Sequence, residues 1–321
     1  LGRFAADDAG GDAPDRPHAS QEPVPEHRAR THGMDHVVRH RETAGRRHGR
    51  SPARDRHDRD DTEMSMNAPH DDAYAKLDFV LDDGICRRAA IGLVVLATDH
   101  TIEHEWRKLL TQDGVAFYES RVYNSADITP ERLMEMESRI AAAVALIRPG
   151  ERIDVVAFGC TSASMVIGEE TVFERIHEAR PGVACTTPIT AALAALRALG
   201  ARRVALLTPY VRAIINTMRD YIEARGVGVT RMASFEHAND NEVARIDAAS
   251  LEAAVGHLAQ SADVDAVFVS CTSLRIAGLI PELEARFGKP VISSNFAMAW
   301  HALRLAGVED CEPRLGRLFA L

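Results

Sequence analysis

Two short stretches constrain this chain more than any others: Asp154–Ser162 (DVVAFGCTS) and Asp265–Ser273 (DAVFVSCTS). Each runs from an acid through an apolar, β-rich segment of strand length to Cys-Thr-Ser, and a helical pattern follows. An apolar run without alternation fits a strand buried on both faces, as in a parallel sheet. Each cysteine therefore falls where a strand gives way to a helix, the edge at which open α/β sheets hold their ligands. Cys160 and Cys271 are 111 residues apart, which points to two similar halves, each contributing one thiol.

From residue 88 onward, strand and helix patterns alternate. Strands are expected over 91–98, 115–122, 153–159 and 183–186, with helices over 102–110, 130–147, 164–179 and 188–199. The same order returns as strands over 203–208, 227–235, 265–270 and 291–293, with helices over 213–225, 250–261, 276–287 and 295–306. Thr129 before Pro130 reads as a cap with proline in the first turn. The segment Ala195–Gly200 (ALRALG) is echoed by Ala302–Gly307 (ALRLAG). A repeat of this length means two copies of one α/β unit, with parallel sheets and crossover helices.

Residues 1–63 differ from the rest. They hold 12 Arg, 13 acidic residues, seven of the 14 His and no Lys, without apolar periodicity. Such a segment buries too little surface to offset its ordering entropy. Residues 1–72 are therefore expected to be a disordered extension or a mis-assigned upstream region, with a regulatory tail as the alternative. The net charge of −9 gives no basic face for nucleic acid. No apolar run reaches membrane-spanning length, and the default location is the cytoplasm. Five cysteines are then expected as free thiols. Only three lysines occur, none in a loop after a strand that suits pyridoxal phosphate, so chemistry without a cofactor is expected.

A thiol at a helix start meets unsatisfied N–H groups and the positive pole, which together favour thiolate. The hydroxyls of Thr161, Ser162, Thr272 and Ser273, with the backbone of the turns, offer a cradle for a carboxylate or a forming enediolate. Two thiols flanking one small acid permit two-base racemisation, cis–trans isomerisation through a thiol adduct, or decarboxylation with protonation by one thiol. A single cysteine at a strand end is most often apolar filler. Two at equivalent places, each followed by Thr-Ser, make that the weaker reading. Cys185 is read as buried and structural, Cys86 and Cys311 as bystanders, and His301 as a packing residue. His100-Thr101-Ile102-Glu103-His104 has the form of an inverted zinc-protease motif, but it sits in a βα loop of a two-fold sheet architecture. No metal site is expected.

The segments Gly159–Ser164 (GCTSAS), Ser270–Ser273 (SCTS) and Thr208-Pro209-Tyr210 together resemble the aspartate/glutamate racemase superfamily, in the branch of maleate isomerase and arylmalonate decarboxylase. Residues 89–98, 185–192 and 294–307 look most like the ectoine-utilization protein EutA, and the resemblance spans about residues 78–310. It implies two similar Rossmann-like domains related by a pseudo-two-fold axis, with the active site between them. The first domain would be 73–190 completed by 295–321, and the second 191–294. Residue by residue, it implies Cys160 and Cys271 as catalytic thiols and Thr161, Ser162 and Thr272 as carboxylate-holding positions. Tyr210 would bond the substrate, as would Thr98 and a residue of 239–241, taken as Asp240. Arylmalonate decarboxylase keeps only the second cysteine, so two thiols favour a two-thiol reaction. The expected function is a cofactor-independent racemase or isomerase of a small carboxylate in ectoine or hydroxyectoine catabolism. Maleate isomerase or arylmalonate-type decarboxylase is the enzymic alternative, and a carboxylate-binding sensor the non-enzymic one. A second copy of the chain is the only macromolecular partner this reading admits.

Overall fold

The unbroken apolar runs form the centres of two parallel sheets. The computed structural model describes residues 75–126, 129–237 and 239–321; the charge-rich segment before them, and the reading of it as an extension, lies outside the described residues. The first half runs β1 (Ala89–Leu96), α1 (Ile102–Leu109), β2 (Val115–Val122), α2 (Pro130–Met134), α3 (Glu137–Ala145) and β3 (Val155–Phe158). It continues through α4 (Thr161–Ile167), α5 (Glu169–Ala179), β4 (Ala184–Thr186) and α6 (Pro188–Ala198). The second half runs β5 (Arg203–Thr208), α7 (Arg212–Glu223), β6 (Gly228–Ser234), α8 (Asp240–Val243), α9 (Ala248–Ala259) and β7 (Ala266–Val269). It closes with α10 (Ile280–Phe287), β8 (Val291–Ser293) and α11 (Ser294–Leu305).

The sheets are ordered β2-β1-β3-β4 and β6-β5-β7-β8, and every pairing is parallel. The duplication read from the cysteine stretches is thus a duplication of topology. All residues of β1, β3 and β7 are buried, because helices cover both faces of each sheet. The halves also repeat in detail. Thr187 caps α6 by accepting from Thr190 N at 3.2 Å, and Ser293 caps α11 by accepting from Phe296 N at 3.2 Å.

Helices α6 and α11 pack on one another, and α11 also reaches α1, β3 and β8. Ala191, Ala192, Ala195, Ala297, Ala299 and Ala302 are fully buried there, so short side chains let the backbones approach. One core runs through both halves, from Leu93, Ile102 and Trp106 to Phe268, Phe296 and Phe319. A second, smaller one fills the other face of the first sheet around Phe158 and Ile140. The expected boundary at 190/191 falls inside α6. Residues 76–321 form one compact unit. Among the described residues no helix is long and apolar enough to cross a membrane.

Several boundaries differ from the sequence reading. The helix expected over 130–147 breaks at Glu135-Met136, which turns Leu133 and Met136 inward. The helix expected over 164–179 begins at Thr161 and is cut at Gly168, whose φ of +94° a side chain would resist. The second half has no helix directly after its cysteine: Cys271-Thr272-Ser273 lies in a turn, and a 3₁₀ turn (Ala277–Leu279) precedes α10.

Candidate active site

Both cysteines lie at the carboxyl ends of the central strands, β3 and β7, and face one small cavity of about 20 Å³, room for roughly one water. Cys160 is 4% exposed and Cys271 is 3% exposed. Their surroundings match in kind. The Cys160 sulfur accepts from Ala163 N at 3.4 Å and lies 3.7 Å from Ser162 Oγ. The Cys271 sulfur meets the backbone N–H of Ser273 and the hydroxyl of Tyr210. Each thiol thus has one amide and one hydroxyl to offset a developing negative charge.

The expectation that helix poles would lower both thiols is corrected by the structure. Burial pushes Cys160 up to about 12, outweighing its bonds to Ala163 and Ser162. Burial, followed by the charge of Asp240, pushes Cys271 up to about 12. Only Cys160 caps a helix, and that helix has seven residues. Desolvation disfavours the thiolate more than a short helix start favours it. Burial likewise raises the Tyr210 phenol well above its ordinary value, and both thiols add to that.

The sequence-derived residues separate into three groups. Cys160, Ser162, Tyr210, Asp240, Cys271 and Thr272 line the cavity. Thr98 and Ser273 stand behind it and hold Asp240: Thr98 Oγ1 donates to Oδ2 at 2.7 Å, and Ser273 Oγ donates to Oδ1 at 2.6 Å. Thr161 is not among the residues lining the cavity, and its hydroxyl lies 2.9 Å from Ser294 Oγ, a bond between α4 and α11.

Other cavity residues were not anticipated: Leu96, Asn124, Ser125, Arg132, Leu133 and Met136. Asn124 fixes Thr98 twice, donating Nδ2 to Thr98 Oγ1 at 2.8 Å and accepting from Thr98 N at 3.2 Å. All except Leu96 follow β2, and the rule that ligands gather beyond strand carboxyl ends applies to that loop as well. A buried carboxylate, Glu105, lies outside the cavity and braces it. It accepts from Ala277 N and from Asn295 Nδ2, each at 2.7 Å, and Asn295 Nδ2 also donates to Thr272 O at 2.7 Å.

The remaining motifs are occupied elsewhere. His100 meets Asn241, Glu103 pairs with Arg121, and His104 meets Lys108. Among the described residues no group of three His, Cys, Asp or Glu side chains is placed to hold a metal. His301 packs with Nδ1 2.8 Å from Thr186 Oγ1, and burial lowers it to about 4. Cys185, read as buried, is half-buried beside His177.

A profile of the arylmalonate decarboxylase family matches residues 91–319. The chain is 32% identical over 238 residues to maleate isomerase of Nocardia farcinica, covering 71% of this chain and 94% of that one. It is 39% identical over 140 residues to arylmalonate decarboxylase of Bordetella bronchiseptica, covering 43% and 58%. The fold is similar to that of a cysteine-to-serine mutant of the N. farcinica maleate cis-trans isomerase with a covalently bound succinylcysteine intermediate. That similarity has a TM-score of 0.65 at 29% identity and covers 72% of this chain and 98% of that one.

Proposed function

The chain belongs to the arylmalonate decarboxylase family, and on that premise we propose that it isomerises a short unsaturated carboxylic acid, using two thiols and no cofactor. The observation that carries the reading is that Cys160 and Cys271 line one cavity with Tyr210 beside them. A decarboxylase needs one thiol to protonate a carbanion. Two in matched surroundings suit a reaction that uses both.

The reacting site holds one thiolate and one thiol. The thiolate adds to one carbon of the double bond, and the π pair moves to the other carbon as an enolate of its carboxylate. The second thiol gives that carbon its proton, leaving a thioether and a new thiolate. Rotation about the resulting single bond follows. The new thiolate then removes a proton from the same carbon, the double bond re-forms in the trans geometry, and the first sulfur leaves as thiolate. Both thiols rest neutral because burial holds them near 12. The thiolate therefore forms only with substrate bound: one thiol gives its proton to water as the acid enters, and the amide and hydroxyl at that sulfur offset the charge left behind. The succinylcysteine of the N. farcinica mutant is such a thioether in that protein. Both thiols must stay reduced, which suits the cytoplasm.

The matched surroundings of the two sulfurs also favour a second reading: two-base exchange of an α-proton, hence racemisation of an acetylated diaminobutyrate in ectoine breakdown, as the likeness to EutA suggests. One experiment separates the readings. Maleate, phenylmalonate and acetylated diaminobutyrates are each incubated with the protein in deuterated water and followed by NMR. Appearance of fumarate supports isomerisation. Deuterium at the α-carbon of recovered diaminobutyrate supports racemisation, and loss of carbon dioxide from phenylmalonate supports decarboxylation. Cys160→Ala and Cys271→Ala should each reduce turnover by about a hundredfold or more; full activity in either would end the two-thiol reading.

A further inference from the structure

The wall of the thiol cavity carries a carboxylate that no cation answers. Asp240 opens α8 and is 5% exposed. Its oxygens each accept one hydroxyl, from Thr98 and Ser273, at 2.7 and 2.6 Å. Hydroxyls orient a carboxylate but bring no charge, and each oxygen keeps room for another donor. Among the described residues the ion pairs leave Asp240 out, and Arg132 is the one basic side chain lining the cavity. Arg132 is exposed and already paired with Glu135 at 2.7 Å. A second buried carboxyl, Asp99, adds to the same field, and both sulfurs feel the two acids.

A dianion placed between the thiols would therefore set one of its carboxylates against Asp240. Like charges in a desolvated site repel far more than in water. We propose that Asp240 determines specificity by selecting a short acid with one carboxylate and an N–H donor, amide or ammonium, at its other end. The N–H group takes the free acceptor positions of Asp240, and the carboxylate is left to Ser162 and to Arg132, which gives up Glu135 for it. The cavity, which holds about one water as it stands, must widen to admit such an acid, and the reactive carbons then lie between the sulfurs. This inference rests on the two-thiol reading of the same cavity, and it makes the monoamide of maleate a better substrate than maleate.

The test uses the full chain as wild type, Asp240→Asn and Asp240→Ala, at pH 7.5. Binding of succinate, succinamate and 4-aminobutyrate, which cannot be isomerised, is measured by calorimetry. Ratios of affinity within each protein are compared, so a partly unfolded variant does not distort the outcome. Wild type should bind succinamate or 4-aminobutyrate at least tenfold more tightly than succinate. Both variants should lose that preference, and Asp240→Asn should gain about tenfold for succinate. Wild type that binds succinate as well as either N–H-bearing analogue, or binds neither analogue, overturns the proposal, as do variants with unchanged ratios. Turnover of maleate and maleamate is followed in the same samples. Absence of both reactions counts against the isomerase reading, while the ratios decide the role of Asp240.

Discussion

Glu105 on α1 and Asn295 on α11 are joined by a buried 2.7 Å hydrogen bond from the Asn295 amide to the Glu105 carboxylate. With the bonds from Ala277 N to Glu105 and from Asn295 to Thr272 O, one acid of the first half holds the loop that carries Cys271. Burial raises Glu105 from 4.5 to about 7. Between those values the folded state binds the proton that the unfolded state has released, so stability falls as pH rises from about 4.5 to 7. The contribution is at most roughly 3 kcal/mol, and Asp99, raised by burial to about 6, acts in the same direction at slightly lower pH. Urea denaturation at pH 5 and pH 7 should show the decline, and Glu105→Gln should flatten much of it while costing about 2 kcal/mol at pH 5. A variant whose stability falls with pH as steeply as wild type would refute this.

The resting thiols are predicted to be slow. Cys160 and Cys271 are buried and pushed up to about 12, while Cys311 is exposed. With iodoacetamide at pH 7.5, peptide mass spectrometry should find Cys311 alkylated first. Cys160 and Cys271 should react on the order of a hundredfold more slowly. Labelling of either at the rate of Cys311 would mean that the closed cavity is a minor state in solution.

The parallel cores, the duplication and the shared cavity were legible because apolar run length, cysteine position and repeat spacing are properties of the chain itself. The thiols' protonation was not, because the helix-start argument carries no measure of burial, and burial at Cys160 and Cys271 is set by residues as remote as Met136 and Tyr210. The hydroxyls of Thr161 and Ser273 bond to Ser294 and Asp240, which the sequence does not indicate. A Thr-Ser pair after a strand does not say which hydroxyl meets the cavity, Ser294 or Asp240. Glu105 was invisible because an acid in an amphipathic helix reads as solvated until its partners, 172 and 190 residues away, fold against it.

Tyr210 should matter to chemistry more than to folding. Its hydroxyl lies at the Cys271 sulfur within a wall that is 3% exposed at the tyrosine. Tyr210→Phe keeps the ring packing and removes the donor that supports a Cys271 thiolate. Turnover should drop by about ten- to a hundredfold, with a thermal midpoint within a few degrees of wild type. Unchanged turnover in Tyr210→Phe would show that Cys271 never carries charge in the rate-limiting step.

Gly159 and Ser270 hold the same place before the two cysteines, yet only the first must be glycine. A Cβ on Gly159 would lie 3.0 Å from the Val94 carbonyl oxygen and 3.0 Å from Ile102 Cδ1. The carbonyl cannot retreat, because it already accepts the Gly159 N–H at 2.8 Å within the sheet. Gly159→Ala must therefore displace the strand end and carry the Cys160 sulfur with it. Ser270 fits its side chain in full burial, with an Oγ that has no partner among the described residues. Its hydroxyl is dispensable, and its loss relieves a desolvation cost. Gly159→Ala should cost about 1–2 kcal/mol of stability and at least tenfold in turnover. Ser270→Ala should leave stability unchanged or slightly raised and turnover within about twofold. Paired denaturation and turnover measurements on the two variants check this, and equal effects from both would contradict the asymmetry between the two halves.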